Sequence, residues 1–197
     1  MITYIIIGIT VLVSYLCFNN AELFRKLALI PYRTVKNNEW YRLITHGFVD
    51  ADMPQLLVNM FTSWSFGTYK EKVFGYLGFG TWGFLGLYFG GMIFASIYDL
   101  VKHHNDPYYV SIGASGAVSA ILFSYILFAP WSKILMFAIF PVRGIIFGVV
   151  YLAYWQYMPT RPGHNINHHA HFYAAEYGFL FPALLNPSLI KAFLSHF

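Results

Sequence analysis

The twenty acidic and basic residues of this chain are grouped, and between the groups lie long stretches with no charge at all. Residues 1–21, 73–98 and 107–132 contain none. Charged residues make up 10% and hydrophobic residues 58% of the 197 residues, whereas a soluble domain carries about 25% charged residues. So few charges cannot cover a water-facing surface, and disorder is excluded because it requires low hydrophobicity. The sequence therefore predicts an integral membrane protein.

The uncharged stretches are long enough to cross a bilayer, since a helix needs about 20 apolar residues to span a hydrocarbon core. We predict one membrane domain, residues 1–197, folded as an all-α bundle of six transmembrane helices with a long first loop. The nine charges between Glu22 and Asp52 indicate that loop, and Lys70, Glu71 and Lys72 are expected to end the second span. The predicted spans are residues 1–21, 53–69, 73–98, 111–131, 144–160 and 169–187.

The charge distribution also limits partners and orientation. The formal net charge of +4 is not concentrated in a basic run, so nucleic acid is not expected as a partner, because phosphate binding needs clustered Lys and Arg. No basic leader precedes residues 1–21, which are therefore interpreted as a retained span. Lys70, Lys72, Lys133 and Lys191 favour a cytoplasmic N-terminus, although the five basic residues of the first loop favour the opposite orientation.

Three polar residues lie at similar positions in the even-numbered spans. Asn59 comes early in the second, Ser115 early in the fourth, and His171 at the start of the sixth. Polar groups inside a membrane are costly, so each is a functional candidate. Even-numbered spans of a six-helix bundle run in the same direction. The topology therefore predicts an amide, a hydroxyl and an imidazole at one depth.

Ser115 stands in the sequence Gly-Ala-Ser-Gly, residues 113–116. A serine at a helix start is surrounded by free backbone N–H groups at the positive end of the helix dipole, and such donors can hold an oxyanion. A serine becomes nucleophilic when a base takes its proton, and histidine is the usual base at neutral pH. On this motif alone, a packing seam of small residues is the more frequent explanation.

Small residues follow His171 at spacings of three, four and seven, which places them on one face of its helix. Gly116 and Ala120 have the same spacing on the fourth span. Two such faces allow helices to touch, which would bring the imidazole to Ser115. Asn59 offers N–H donors that can supplement an oxyanion hole, or that can form a structural bond between helices.

Four short motifs occur in a fixed order along the chain. They are Trp40-Tyr41-Arg42 leading to residues 45–48 (Thr-His-Gly-Phe), residues 56–60 (Leu-Leu-Val-Asn-Met), residues 113–116, and Ala170-His171 with Gly178 seven residues later. Each motif is weak singly, but together they resemble those of the rhomboid intramembrane serine proteases. The resemblance covers residues from 38 to 187.

This resemblance implies a rhomboid-type bundle with a Ser–His dyad and no acid residue. Ser115 would attack a peptide carbonyl while His171 accepts its proton, and Asn59, Gln55 and the Ser115 backbone N–H would hold the oxyanion. Family substrates are single-span membrane proteins with a locally unstable helix, cleaved within or beside the membrane. The resemblance implies no metal or cofactor. It also implies a bacterial inner-membrane protein whose site opens on the non-cytoplasmic side.

The chain departs from the family pattern at four positions. Gln55 stands where the family has a histidine, which leaves its share in the oxyanion hole open. Ala174 replaces a glycine, and Ser119 replaces an aromatic residue that backs the imidazole. Glu176 is an ionisable residue of the sixth span, about 140° around the helix from His171, and the sequence assigns it no role.

Two other functions stay open. A rhomboid-like protein that binds membrane proteins without cleaving them is compatible with the changes at Gln55 and Ala174. A metal-dependent membrane enzyme is suggested by the spacing of His164, His168, His169 and His171, because imidazoles at helical intervals can ligate a metal. The remaining histidines supply only one further adjacent pair, so the metal hypothesis lacks the several histidine boxes that such enzymes need.

Overall fold

The computed structural model describes residues 1–136, 140–157 and 168–197, which are mostly helical. A 3₁₀ turn covers His46–Phe48, a π-helical segment covers Ser63–Gly67, and strands β1 (Lys133–Met136) and β2 (Phe140–Arg143) form an antiparallel hairpin that the all-α prediction did not include. The α-helices are α1 (Ile2–Phe18), α2 (Ala21–Leu27), α3 (Pro31–Lys36), α4 (Arg42–Thr45), α5 (Met53–Thr62), α6 (Thr68–Tyr76), α7 (Gly80–His103), α8 (Ser115–Phe128), α9 (Gly144–Tyr157), α10 (His168–Leu185) and α11 (Ser188–Leu194).

Helices α7, α8 and α10 pack against one another at the centre of the fold. Helix α8 is enclosed on nearly every side, with residues 116–124 all buried. Its sequence explains this, because a helix that is apolar all round is stable only in a buried position. Phe84, Leu87 and Met92 of α7 pack against Ile121 of α8 in the largest core cluster. Ser115 is thus the first residue of the central helix.

The central helices approach closely at small residues. A Cβ atom at Gly178 of α10 would overlap the backbone of Ala120 on α8, which confirms the predicted contact between these two helices. Gly116 faces α7 instead, where an added Cβ would lie 2.7 Å from the Cβ of Ala95. On α7, Gly86 leaves space for the ring of Phe181, which lies on α10. Small residues therefore define how the three helices dock.

The second helical segment does not end at the three charges 70–72. The segments α5, Ser63–Gly67 and α6 follow one another without a break to Tyr76. Lys70 is fully buried, and its ammonium group donates to the Ser124 carbonyl (3.1 Å) and lies 3.3 Å from the ring centroid of Phe128. A carbonyl in the C-terminal half of α8 and an aromatic face thus take the place of water around the Lys70 nitrogen.

Glu71 has a different reason to remain in the helix. Its carboxylate accepts hydrogen bonds from the backbone N–H of Ile2 (2.7 Å) and from the N–H and hydroxyl of Thr3 (3.1 and 2.7 Å). It therefore satisfies the free N–H groups at the start of α1. The next helix, α7, begins at Gly80 and continues past Asp99 to His103, so the predicted third span of 73–98 is displaced toward the C-terminus.

The long first loop is folded around Arg42. This side chain is fully buried and donates to the Glu39 carboxylate and to the backbone carbonyls of Arg25 (2.8 Å) and Ala28. Glu39 also binds Arg33 at 2.8 Å. One guanidinium therefore joins α2 and α4 in a compact unit, because its five donors can bind several acceptors at once.

Helix length alone identifies few spans. Among the described helices, α7 is long and apolar enough to cross a bilayer by itself, and the bent pair His169–Leu185 and Ser188–Leu194, with an angle of 118°, adds a second candidate if counted as one span. Helices α1 and α8 are apolar but shorter. The count of six spans therefore stays a prediction.

Replacing Gly178 by Leu should destabilise the fold, because the new side chain would overlap the α8 backbone at Ala120. Overpacking costs about 1–3 kcal/mol, so the unfolding midpoint should fall by roughly 5–10 °C. Reaction of the buried Cys17, the only cysteine, with a thiol-reactive fluorophore on heating reports unfolding in detergent. Gly8→Leu is the control, since a Cβ at Gly8 meets nothing within 4 Å. Equal midpoints for the two variants would contradict the packing argument.

Candidate active site

The loop before α8 places Ser115. Leu29 of the first loop and Ser111 exchange backbone hydrogen bonds of 3.0 and 2.9 Å, and the N–H of Gly113 donates to the His46 carbonyl at 3.1 Å. Gly113 has a φ of +123°, which favours glycine. A Cβ atom at this position would also lie 2.9 Å from Nε2 of Gln55. The first glycine of the Gly-Ala-Ser-Gly motif is thus required by both conformation and space.

Ser115 and His171 line the same cavity, which has a volume of about 40 Å³. That volume holds a few water molecules. The structure therefore brings together residues from α8 and α10 that are far apart in the chain. The other polar side chains in its wall come from the first loop, from α7 and from the loop before α8; they are His46, Ser96, Asp99 and Ser111.

The imidazole of His171 lies against two hydroxyl groups. Its Nδ1 atom is 3.2 Å from the hydroxyl of Tyr151 on α9 and 3.5 Å from the hydroxyl of Ser119 on α8. The two hydroxyl oxygens are 2.6 Å apart. The sequence pointed to Ser119 as a departure from the family pattern, but it did not single out Tyr151 among the many aromatic residues of the chain.

Asn59 is buried beside Ser115's loop and binds a carboxylate. Its Nδ2 donates to Oδ1 of Asp50 at 2.7 Å, and the backbone N–H of Ala114 donates to the same oxygen at 3.3 Å. An amide nitrogen carries two N–H groups, and Asp50 accepts a hydrogen bond from one of them. The predicted oxyanion donor is therefore oriented by an acid that the sequence analysis missed.

Asp50 is 1% exposed, and its Oδ2 atom has no hydrogen-bond partner among the residues that the structure describes. Burial raises the pKa of this carboxyl from 3.8 to about 6, although the hydrogen bonds from Asn59 and Ala114 oppose the change. Removing a charged carboxylate from water is costly unless it is paired. The available signal was an acidic residue directly after the apolar Phe48 and Val49.

Gln55 presents its amide nitrogen toward the serine loop. Its Oε1 accepts from the backbone N–H of Ala51 at 2.9 Å, and its own backbone N–H is bound by the Asp52 carboxylate at 2.8 Å. With the amide oxygen held by Ala51, Nε2 lies beside Gly113. The side chain can therefore donate toward the neighbourhood of Ser115.

His46 lies in the cavity wall, where both of its ring nitrogens contact other parts of the protein. Its Nδ1 donates to the Arg42 carbonyl at 2.8 Å, and its Nε2 is 3.3 Å from the Ser96 hydroxyl. Burial lowers the pKa of His46 to about 4, so the ring is neutral at physiological pH. It links the first loop to α7.

The other singled-out residues lie elsewhere or outside the described ranges. The ring of His169 lies against that of Tyr98, with centroids 4.2 Å apart and an angle of 31° between the ring planes. His164 lies outside the described residues, as does the side chain of His168. In the ranges that the structure covers, no three His, Cys, Asp or Glu side chains are placed to hold a metal ion. Glu176 lines a second cavity, of about 330 Å³, whose other walls are apolar.

A family model described as Rhomboid domain matches residues 37–188. The match includes every side chain of the candidate site described above, from His46 to His171. The comparison with curated proteins finds no match to this chain.

The stability of the fold should depend on the Asp50 proton. A carboxyl whose pKa is raised by folding contributes stability in full below about pH 4, and that stability is lost as the pH rises through about 6. Asp50→Asn does not titrate. Its free energy of unfolding, relative to wild type, should therefore increase by about 2 kcal/mol from pH 4 to pH 7.

Denaturant unfolding in detergent at the two pH values measures this difference. Asp52→Asn is the matched control, because asparagine also caps helix N-termini and Asp52 is an exposed residue two positions away. The same pH dependence in both variants would contradict the assignment to Asp50.

Proposed function

Because the chain belongs to the rhomboid family, we propose that it is a serine endopeptidase, a hydrolase that cleaves membrane proteins within or beside the bilayer. The chain is an integral membrane protein with the fold of intramembrane proteases. The observation that carries the proposal is the small cavity in the helical bundle whose wall contains both Ser115, at a helix N-terminus, and His171.

The proposed reaction uses these two side chains as nucleophile and base. Ser115 Oγ forms a bond to the peptide carbonyl carbon while His171 takes the hydroxyl proton. The peptide C–N bond then breaks, and the imidazolium gives that proton to the leaving amine. Water, deprotonated by the same histidine, hydrolyses the acyl-enzyme and restores the serine. Neither step requires a metal or a cofactor.

The oxyanion of each tetrahedral intermediate needs hydrogen-bond donors. We assign this role to the backbone N–H of Ser115, which is free at the start of α8, to Asn59, and to Gln55. Two contacts support the assignment. The amide of Asn59 is fixed by Asp50, and the amide nitrogen of Gln55 lies beside Gly113.

The substrates proposed are transmembrane proteins, which reach the site through the lipid bilayer. The family acts on membrane-protein substrates, and a site inside a helical bundle is accessible to segments that leave the membrane locally. We further propose six spans with a cytoplasmic N-terminus, in a bacterial inner membrane, and a site that receives water from the non-cytoplasmic side.

A second candidate is a rhomboid-like protein that binds membrane proteins without cleaving them. Asp50 is the observation that favours it, because a carboxyl beside Asn59 would repel a developing oxyanion when ionised. Gln55, which stands where the family pattern has a histidine, also favours this second candidate. Direct labelling of the serine separates the two candidates.

Labelling by a fluorophosphonate probe should be abolished in both Ser115→Ala and His171→Ala, because the probe reacts only with an activated serine. Purified protein in detergent is compared by fluorescence after electrophoresis. Ser96→Ala is the matched control, since this serine lines the same cavity but bonds the Met92 carbonyl, and it should label normally. An unlabelled, folded wild type beside a labelled control protease would support the non-cleaving candidate.

Asn59→Ala should slow labelling by roughly 10²-fold, the effect of losing one oxyanion donor. Gln55→Glu should slow it comparably, because it retains an oxygen for Ala51 but removes the N–H donors. The rate constants are measured at several probe concentrations, with unfolding midpoints as the check on folding. A wild-type rate in Gln55→Glu would exclude Gln55 from the oxyanion hole.

A further inference from the structure

Helix α9 contributes a hydroxyl group to the environment of the proposed base. Tyr151 lies 3.2 Å from Nδ1 of His171, and its ring meets the imidazole edge-on with centroids 6.5 Å apart. The tyrosine ring is held between Phe123, at 5.3 Å, and Phe147, at 5.6 Å. Aromatic packing on two sides therefore fixes where the hydroxyl points.

A second hydroxyl offers the Tyr151 proton an acceptor other than Nδ1. Ser119 Oγ is 2.6 Å from the Tyr151 oxygen, shorter than the 3.2 Å between that oxygen and Nδ1. The first distance lies at the short end of the range for O–H···O bonds, and the second lies at the long end of the range for bonds between nitrogen and oxygen. If the Tyr151 proton is donated to Ser119, the tyrosine oxygen faces Nδ1 with its lone pairs, and Nδ1 must carry the hydrogen.

This direction of the bonds selects a histidine tautomer. A neutral imidazole has one N–H and one acceptor nitrogen, so a proton on Nδ1 makes Nε2 the acceptor nitrogen. The imidazolium formed after proton uptake still donates from Nδ1. The Tyr151 oxygen can therefore accept a hydrogen bond from Nδ1 both before and after the imidazole takes a proton.

We propose that Tyr151 and Ser119 are positioning residues that hold His171 with its proton on Nδ1, so that Nε2 serves as the base for Ser115. This inference rests on the proposed function for the role of Ser115, but the tautomer itself does not depend on activity. In this arrangement, two neutral hydroxyls from α9 and α8 take the place that a carboxylate occupies in a Ser–His–Asp triad.

The inference also gives Ser119 a role beside the imidazole. The aromatic ring beside the imidazole is supplied by Tyr151 from another helix. The small Ser119 side chain leaves space for that ring, and its hydroxyl binds the tyrosine. The two residues act as one unit, so their effects on rate should not be additive.

Tyr151→Phe tests the proposal, since it removes the hydroxyl and keeps the ring. We expect fluorophosphonate labelling to slow about tenfold, the value of one hydrogen bond of about 1.4 kcal/mol. Ser119→Ala should slow it less, and the double variant should be no slower than Tyr151→Phe. Tyr154→Phe, an exposed tyrosine on the same helix, is the control and should label at the wild-type rate. Unfolding midpoints should not differ between the two tyrosine variants.

The tautomer is measured independently by ¹⁵N NMR of histidine-labelled protein in detergent. The His171 signals are assigned by their loss in His171→Ala. We expect a protonated Nδ1 and an unprotonated Nε2 in the wild type, and a mixture of tautomers in Tyr151→Phe.

Each result has a distinct meaning. An unprotonated Nδ1 in the wild type, or tautomer populations unchanged by Tyr151→Phe, would overturn the positioning proposal. The same is true of wild-type labelling rates in Tyr151→Phe. An unlabelled wild type with the expected NMR spectra would overturn the proposed function while supporting the assignment of the tautomer.

Discussion

The close contact between α8 and its neighbours is the constraint on which the rest of the structure depends. Residues 116–124 are buried, and Gly178 and Gly116 leave room only for the backbone or methyl groups opposite them. A helix enclosed in this way cannot tilt or slide without overlap, because packed interiors have few voids. Its N-terminal residue, Ser115, is consequently fixed relative to α7 and α10. A reactive hydroxyl gains from such rigidity, since small misplacements of reacting groups reduce rates strongly.

Buried polar groups connect this central unit to the rest of the chain. Lys70 binds the C-terminal end of α8, Arg42 organises the first loop, and Asp50 joins that loop to Asn59 and to the start of α8. Each group is expensive to bury, and specific acceptors or donors compensate part of that cost. Such groups favour one arrangement of the elements over others, because any displacement leaves a polar atom without its partner.

Much of this organisation could be predicted from the sequence, and the remainder depends on contacts that a sequence does not display. The order of the spans predicted Ser115 and His171 at one depth, and the small residues on their two helices predicted that the helices touch. The contact of Ala120 with Gly178 followed from helical spacing. The end of the second helix was misjudged, because nothing local shows that Lys70 meets a carbonyl and an aromatic ring. Asp50 and Tyr151 were missed since their importance arises only from neighbours distant in the chain.

The shortness of α8 sets the depth at which the proposed chemistry takes place. Its 14 residues extend about 21 Å, whereas the hydrocarbon core of a bilayer is about 30 Å thick. If its far end reaches one membrane surface, Ser115 lies roughly 10 Å below the other. The first loop is joined to Ser111 by backbone hydrogen bonds, so polar protein lies beside the start of α8. On the proposed function, the supply of water to this depth and the thickness of the surrounding lipid would both set the reaction rate.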